Sequence, residues 1–239
     1  MLVRARPTVP HLKQVPFDIL VLDVGGTNIK VRATGQKKLV KIPSGRSMSP
    51  REMMGAVRRK IAGWNIQAVS IGLPGLVLHG RILHDPRNLG EGWVGFDFSK
   101  AFRLPVKVIN DATMQALGSY QGGRMLFLGL GTGFGSAFIV DGRLESLELA
   151  HLLYRKKCTY EDYVGVRALE RLGQKKWAQH VDVIVKHFSK VLRADYVVLG
   201  GGNAKKLTDL PPNCIMGDNE NAFIGGIRLW EYLGANLGY

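Results

Sequence analysis

Cysteine is almost absent. Cys158 and Cys214 are the only two, too few for a disulfide framework or a four-cysteine zinc site, so a reducing cytoplasm is the expected setting. Long apolar runs are missing too. The longest, Met125 to Val140, contains four glycines plus Thr132 and Ser136 and is too short for a membrane span, so no membrane partner is expected. Arg4, Pro7, Pro10, His11 and Lys13 interrupt the start of the chain before any apolar core develops, which argues against a secretory leader. No tandem repeat is visible. No segment reads GxxxxGK[ST], and no glycine cluster opens a strand–helix–strand unit as GxGxxG requires, so P-loop and dinucleotide-binding architectures are excluded. Acidic residues are scarce, 19 against 33 Lys and Arg, for a net charge of +14.

What is present is an ordinary soluble balance: 239 residues, 46% hydrophobic and 22% charged, enough for one large domain or two small ones. Glycine stands out at 30 residues, about one in eight against a usual ~7%. The positive charge is uneven. Residues 1–60 hold 13 Lys and Arg against 3 Asp and Glu. Such a field attracts a polyanion (nucleic acid, anionic membrane or phosphate chain), although dispersed solvated charges would look the same in composition.

Residues 1–16 carry no periodic pattern and read as a loose arm. A strand is expected at Asp18–Leu22, running into Asp23-Val24-Gly25-Gly26-Thr27-Asn28, with a second at Ile29–Ala33: two strands joined by a glycine hairpin. A short strand follows at Leu39–Ile42. Ser49-Pro50-Arg51-Glu52 is a helix start with N-cap, Pro at the first position and a capping box, and the helix should stop at Gly63. Strands at Val69–Gly72 and Val106–Ile109 end in Leu73-Pro74-Gly75 and Asn110-Asp111, with a helix over 112–117. Leu126–Leu130, Gly131-Thr132-Gly133-Phe134-Gly135 and Ser136–Val140 repeat the strand–glycine–strand unit. Asp141-Gly142 is a two-residue hairpin turn. Helices are expected at 160–172 and 174–192, a strand at Asp195–Leu199 ending in Gly200-Gly201-Gly202-Asn203, and a closing helix at 222–233. A hairpin module used twice implies two related α/β lobes.

Each glycine turn follows an apolar strand, where missing Cβ atoms let backbone N–H groups approach an anion. One such turn is most often only turn geometry; three at strand ends point to phosphate. Asp23 sits where a carboxylate could hold Mg²⁺ or its waters. Asp111 ends a strand and opens a helix, the position of a catalytic base on an open α/β sheet or of a plain helix cap. Glu148 and His151 are spaced so that one turn presents both on one side. Thr159-Tyr160-Glu161-Asp162 also reads as a capping box.

Leu22–Lys30, Gly72–Gly75, Asn88-Leu89-Gly90-Glu91-Gly92-Trp93, Asn110-Asp111-Ala112, Gly131–Gly135 and Gly200–Asn203 occur in the order seen in the ROK family of sugar kinases and repressors. The chain resembles that family from about residue 17 onward. Tyr160–Gly165 and Asn88–Trp93 are most similar to its polyphosphate/ATP glucokinase branch. The resemblance implies an actin-like (ribonuclease H-like), two-lobed α/β fold with a cleft between the lobes. Its smaller lobe would span 17–111, completed by the C-terminal helix 222–239, and its larger lobe 112–221. It further implies Asp111 as general base for the glucose 6-hydroxyl. Gly75, Asn88, Asn110, Glu148, His151 and Glu161 would line the sugar site. Asp23, Gly25, Gly26, Thr27, Asn28 and Lys30 would form the first phosphate site, with Gly131, Thr132, Gly133, Gly201, Gly202 and Asn203 on the nucleotide side. Mg²⁺ would be held by Asp23 through water, with ATP or inorganic polyphosphate as donor, in a cytoplasmic homodimer.

Two departures stand out. Ala150 replaces the glycine usual before the histidine, and the cysteine-rich zinc motif of many members is missing, so no structural zinc is expected. The short arm before the first strand leaves no room for a helix-turn-helix, so a nucleic-acid partner is not expected. The rival reading is a catalytically idle sugar sensor or polyanion-associated protein of the same fold, favoured by the +14 charge alone. Lys30, Arg32, Lys37, Lys38, Lys41 and Arg46 are the expected track for a long polyphosphate donor.

Overall fold

The computed structural model describes residues 18–218 and 220–231. The expected arm at 1–16 lies outside these residues, as does the closing helix beyond 231. Among the described residues the chain divides into an N-terminal unit, 18–114 with 222–231, and a central unit, Gln115–Asn221. The division lies within the helix that opens at Asp111 and continues to Ser119.

The N-terminal unit begins with β1 (Ile19–Val24), β2 (Asn28–Ala33) and β3 (Val40–Pro43). Helix α1 (Pro50–Lys60) starts as its sequence dictates: Ser49 accepts from the Glu52 N–H while the Glu52 side chain accepts from Ser49 N–H. There follow β4 (Ala68–Leu73), a small hairpin of β5 (Val77–Leu78) and β6 (Arg81–Ile82), helix α2 (Phe98–Phe102), β7 (Val106–Asn110) and helix α3 (Asp111–Ser119). The sheet order is β3-β2-β1-β4-β7, antiparallel through β1 and parallel from β1 to β7. Every residue of β4 is buried, as expected of a parallel strand covered on both faces.

Strand alternation sorts the two faces. Leu20, Leu22, Ile29, Val31, Val69 and Ile71 form one core with Met53, Met54 and Val57 of α1. The opposite face carries Val21, Ser70 and Lys107, against which the C-terminal helix (Asn221–Glu231) is laid. A Cβ at Gly226 would stand 2.5 Å from a Val21 methyl, so the helix reaches the sheet because that residue is glycine; a larger side chain would cost about 1–3 kcal/mol. Ser70 Oγ donates to Gly226 O at 2.6 Å and accepts from the Trp230 indole at 2.8 Å. Lys107 Nζ donates to Leu229 O at 3.1 Å and lies over the Trp230 ring. Burial lowers this amine's pKa to about 8.

The central unit repeats the plan with β8 (Arg124–Leu130), β9 (Phe134–Val140) and β10 (Arg143–Leu147). Asp141 and Gly142 between the last two both have positive φ, 49° and 82°, as a two-residue hairpin turn demands. A short hairpin, β11 (Leu153–Arg155) with β12 (Cys158–Thr159), leads to α4 (Glu161–Val164) and α5 (Val166–Leu192), then β13 (Tyr196–Gly200) and β14 (Cys214–Met216), before the C-terminal helix, α6. The sheet order is β10-β9-β8-β13-β14, with the same antiparallel-to-parallel change.

The single helix expected over 160–172 is broken. Gly165 is extended (φ −70°, ψ 172°), and its missing Cβ lets it lie against Glu161 O and Thr132 O, 3.0 and 3.2 Å from where a Cβ would be. The break expected at Gly173 is present, with φ 73°. Trp177, Val181, Ile184 and Val185 of α5 share the core with Leu126, Leu128, Val197 and Leu199.

Candidate active site

In the N-terminal unit the parallel strands β1, β4 and β7 all end on one edge, where ligands of open α/β sheets bind. The first glycine turn lies there. Gly25 N–H donates to Asn28 O (3.0 Å), and Ser44 ties the turn to the end of β3 through Ser44 N–H to Thr27 O (2.9 Å) and Ser44 Oγ to Gly25 O (2.6 Å). Gly26 leaves room for Asn88: a Cβ there would stand 2.8 Å from the Asn88 Cβ. Thr27 and Asn28 are exposed. Asp23 and Lys30 are register partners on β1 and β2 and form an ion pair at 2.9 Å, with side chains 13% and 40% exposed.

Asp111 follows β7 directly and is the first residue of α3. The capping task falls to its neighbour: Asn110 Oδ1 accepts from Thr113 N–H at 3.0 Å, and Asn110 Nδ2 donates to Gly75 O at 2.9 Å. The plain-cap reading of Asp111 therefore belongs to Asn110, which also fixes the Gly75 turn. Asp111 accepts from the Ala112 N–H at 2.8 Å. Burial and then the nearby Asp23 charge raise its pKa to about 6, against the opposing effects of local N–H groups and Lys30. A carboxyl of that proton affinity suits general-base work near neutrality.

Sequence reasoning missed Asp85. Its carboxylate accepts from the N–H groups of Gly92, Trp93 and Val94 at 3.2, 2.7 and 3.1 Å. Slight burial pushes its pKa up, but the three donors outweigh this and hold it below the ordinary value. They also fix the loop that carries Asn88. Trp93, fully buried, anchors the loop's far end with its indole to Met48 O at 3.3 Å. The Asp85-Pro86 dipeptide signals a turn, but nothing in the sequence names the partners of Asp85.

In the central unit the second and third glycine turns are joined. Asn203 N–H donates to Leu130 O (2.9 Å) and Asn203 Nδ2 to Gly131 O (3.0 Å). Gly201 has φ 81°, and a Cβ there would stand 2.5 Å from Leu130 O. Glu161 lies against the second turn, accepting from Phe134 N–H at 3.0 Å; a Cβ at Gly133 would be 2.5 Å from the same carboxylate oxygen. The Glu161 N–H donates to Ala150 O at 3.1 Å, which connects the turn to the Glu148–His151 loop. The expected Thr159 capping box forms through Asp162 and leaves Glu161 outside it. Glu148 has a raised pKa from burial, with His151 lowering it and Glu161 raising it, so these three expected sugar ligands share one electrostatic neighbourhood.

The expected basic track comes apart. Lys30 and Lys41 are register partners, but Arg32 lies over the Phe223 ring at 4.4 Å. Lys37 and Lys38 sit in the β2–β3 connection, which opens at Thr34, whose N–H donates to Ile19 O at the start of β1 (3.0 Å). The hairpin has carried them to the opposite edge of the sheet from the first glycine turn. Among the described residues no helix is long and apolar enough to cross a membrane, and no cluster of three or more His, Cys, Asp or Glu could hold a metal.

The sequence model of the ROK family matches residues 19–146, which takes in the first hairpin, Asp111 and the second hairpin. The chain belongs to the ROK family. Within it, the chain is 26% identical to a polyphosphate glucokinase of Mycobacterium tuberculosis over 77% of each sequence. The fold matches the crystal structure of an inorganic polyphosphate/ATP-glucomannokinase from Arthrobacter sp. strain KM (TM-score 0.77, 24% identity, 91% of this chain and 99% of that one). It also matches a ROK family glucokinase from Streptomyces griseus, solved with glucose and AMPPNP (TM-score 0.72, 17% identity, 89% and 98%). This ROK protein thus has the actin-like sugar-kinase fold, with one ribonuclease H-like sheet in each unit.

Proposed function

We propose that the protein is a hexose kinase of the glucokinase type, moving a phosphoryl group from inorganic polyphosphate, with ATP as second donor, to the 6-hydroxyl of glucose. The observation that carries this reading is Asp111, a carboxyl at the ligand edge of its sheet whose pKa is raised to about 6. The ROK family also contains repressors, so membership does not by itself decide for catalysis. An idle binding protein gains nothing from a carboxylate kept at a cost in stability, whereas a base acting near neutrality needs that proton affinity.

In this reading Asp111 accepts the hydroxyl proton as the oxygen attacks. Asn88 serves the remaining hydroxyls from the N-terminal unit, where Asn110 sets the Gly75 turn, and Glu148, His151 and Glu161 are the sugar ligands proposed for the central unit. The first turn and Lys30 receive the reacting phosphate. The bare backbone of the second and third turns, at Gly131, Thr132, Gly133, Gly201, Gly202 and Asn203, serves the nucleotide side. Magnesium fits Asp23 held through water: one carboxylate oxygen is occupied by Lys30, and Mg²⁺ keeps several waters when bound by one or two carboxylates and substrate phosphates. There it would neutralise charge on the transferring group. The polyphosphate glucokinase names of the relatives support donor and acceptor alike.

The test is a coupled assay of glucose 6-phosphate formation with polyphosphate or ATP. Turnover with both is expected. No glucose-dependent transfer from either donor would overturn the kinase reading, and turnover with ATP alone, even at low salt, would remove polyphosphate from it.

A further inference from the structure

The β-register supplies a feature that composition could not. On the N-terminal sheet, Gly72, Asp23, Lys30 and Lys41 are successive register partners across β4, β1, β2 and β3. Partners across a ladder share a face, and that face is opposite to Leu22, Ile29 and Ile42, which point into the core. Gly72 lies at the base end of this row: the nearest backbone atom to its missing Cβ is the Asp111 Cα, at 3.4 Å. The row therefore runs outward from the base, through the carboxylate assigned to the metal, to Lys30 and then to Lys41. Adjacent strands are spaced 4.7–4.9 Å, so Lys41 stands roughly 10 Å along the sheet from Asp23.

The two lysines differ in how they are held. Lys30 is occupied by Asp23. Lys41 is exposed on the outermost strand of the sheet and forms no ion pair among the described residues. Arg46, also exposed, continues the positive edge in the loop that Ser44 ties to the first turn.

We infer that Lys41 is the residue that discriminates between donors: it binds phosphates of a polyphosphate chain beyond those shared with ATP, led to it along the Asp23–Lys30–Lys41 row. The inference rests on the polyphosphate reading of the preceding section. ATP ends its phosphate chain after three groups and continues as a nucleoside, with no charge for Lys41 to meet. A longer chain continues as an anion, and each phosphate neutralised by a lysine contributes about one unit to the dependence of log affinity on log salt.

The experiment compares wild type, K41M, K41R and the double variant K37M/K38M, each assayed with long-chain polyphosphate and with ATP across a salt series. Circular dichroism would verify folding. For K41M the ratio of kcat/KM on polyphosphate to that on ATP is expected to fall about five- to tenfold, and the salt slope for polyphosphate to flatten by about one unit. K41R should restore most of both. K37M/K38M removes twice the charge from the opposite edge and should leave the donor ratio unchanged, which separates a local contact from the general field. A K41M ratio equal to that of wild type, or a K37M/K38M ratio that falls as far, would overturn the inference with the polyphosphate reading intact. A wild-type protein that uses ATP but not polyphosphate would overturn that reading itself, and the inference with it.

Discussion

The N-terminal and central units have the same strand order, the same change from antiparallel to parallel pairing and the same strand–glycine–strand hairpin. Their corresponding rows are nevertheless chemically opposite. In the N-terminal unit the row just before the turn is Lys30–Asp23–Gly72. In the central unit it is Gly135–Gly129–Gly200. One sheet offers fixed charge and an ion pair, while the other offers bare backbone. The central turn also takes its carboxylate from elsewhere, since Glu161 comes from α4 to accept from Phe134 N–H. In the proposed reading, a duplicated scaffold thus supplies two kinds of phosphate environment. Side-chain charge suits a reacting, metal-associated phosphoryl group, and bare N–H groups suit close approach by a ligand that needs no such charge.

The largest blow to this contrast should come from Asp111→Asn. It preserves size while removing the proton acceptor, and kcat is expected to fall about 10²–10⁴-fold in the coupled assay. A variant keeping more than about a tenth of the activity would assign the base elsewhere. Asp23→Asn strips the charged row of its carboxylate and leaves Lys30 unpaired. A loss of roughly 10²-fold is expected, and higher Mg²⁺ should not restore it, because the variant has no carboxylate at this position to hold the ion. Writing the charged row into the bare one is gentler. Gly129 has only ordinary contacts around a built Cβ, at 3.4 Å or beyond, so Gly129→Asp can be accommodated. Its carboxylate should repel donor phosphates and raise the ATP KM about tenfold, with the increase shrinking at high salt.

The smallest effect is on stability and pH. With a folded pKa of about 6, Asp111 as the proposed base acts only when deprotonated, so kcat/KM should decline as pH falls through about 6. For stability the sign is the reverse of an ordinary ion-paired carboxylate. Between the ordinary Asp value near 3.8 and about 6, the folded protein retains a proton that the unfolded chain has released. The cost therefore develops as pH rises through this window and is complete above it. Asp111→Asn should accordingly be more stable than wild type at pH 7.5, by about 1–3 kcal/mol, and closer to it near pH 4. Denaturant melts at the two pH values would measure this, and a variant less stable at pH 7.5 would contradict the stored cost.

Local chemistry was legible without a structure. The capping box at Ser49, the Asp141-Gly142 turn, the break at Gly173 and the three glycine turns at strand ends all depend on neighbours within a few residues, and such signals are written contiguously. The order of these motifs was likewise enough to suggest the family and the fold. The tertiary structure decided what depends on residues far apart in the chain. It gave helix capping to Asn110 and placed Asp111 beside Asp23, which lies 88 positions earlier. It also pinned the Asn88 loop through Asp85 and brought Glu161 to a turn 27 residues before it. The basic segment shows the difference most clearly. Its six charges are close in sequence, but strand register reverses the chain, so Lys41 returns to Lys30 while Lys37 and Lys38 remain at the far edge. Composition counts charges. Only the pairing of strands determines which of them a ligand meets, because a hairpin carries residues a few positions apart to opposite ends of the sheet.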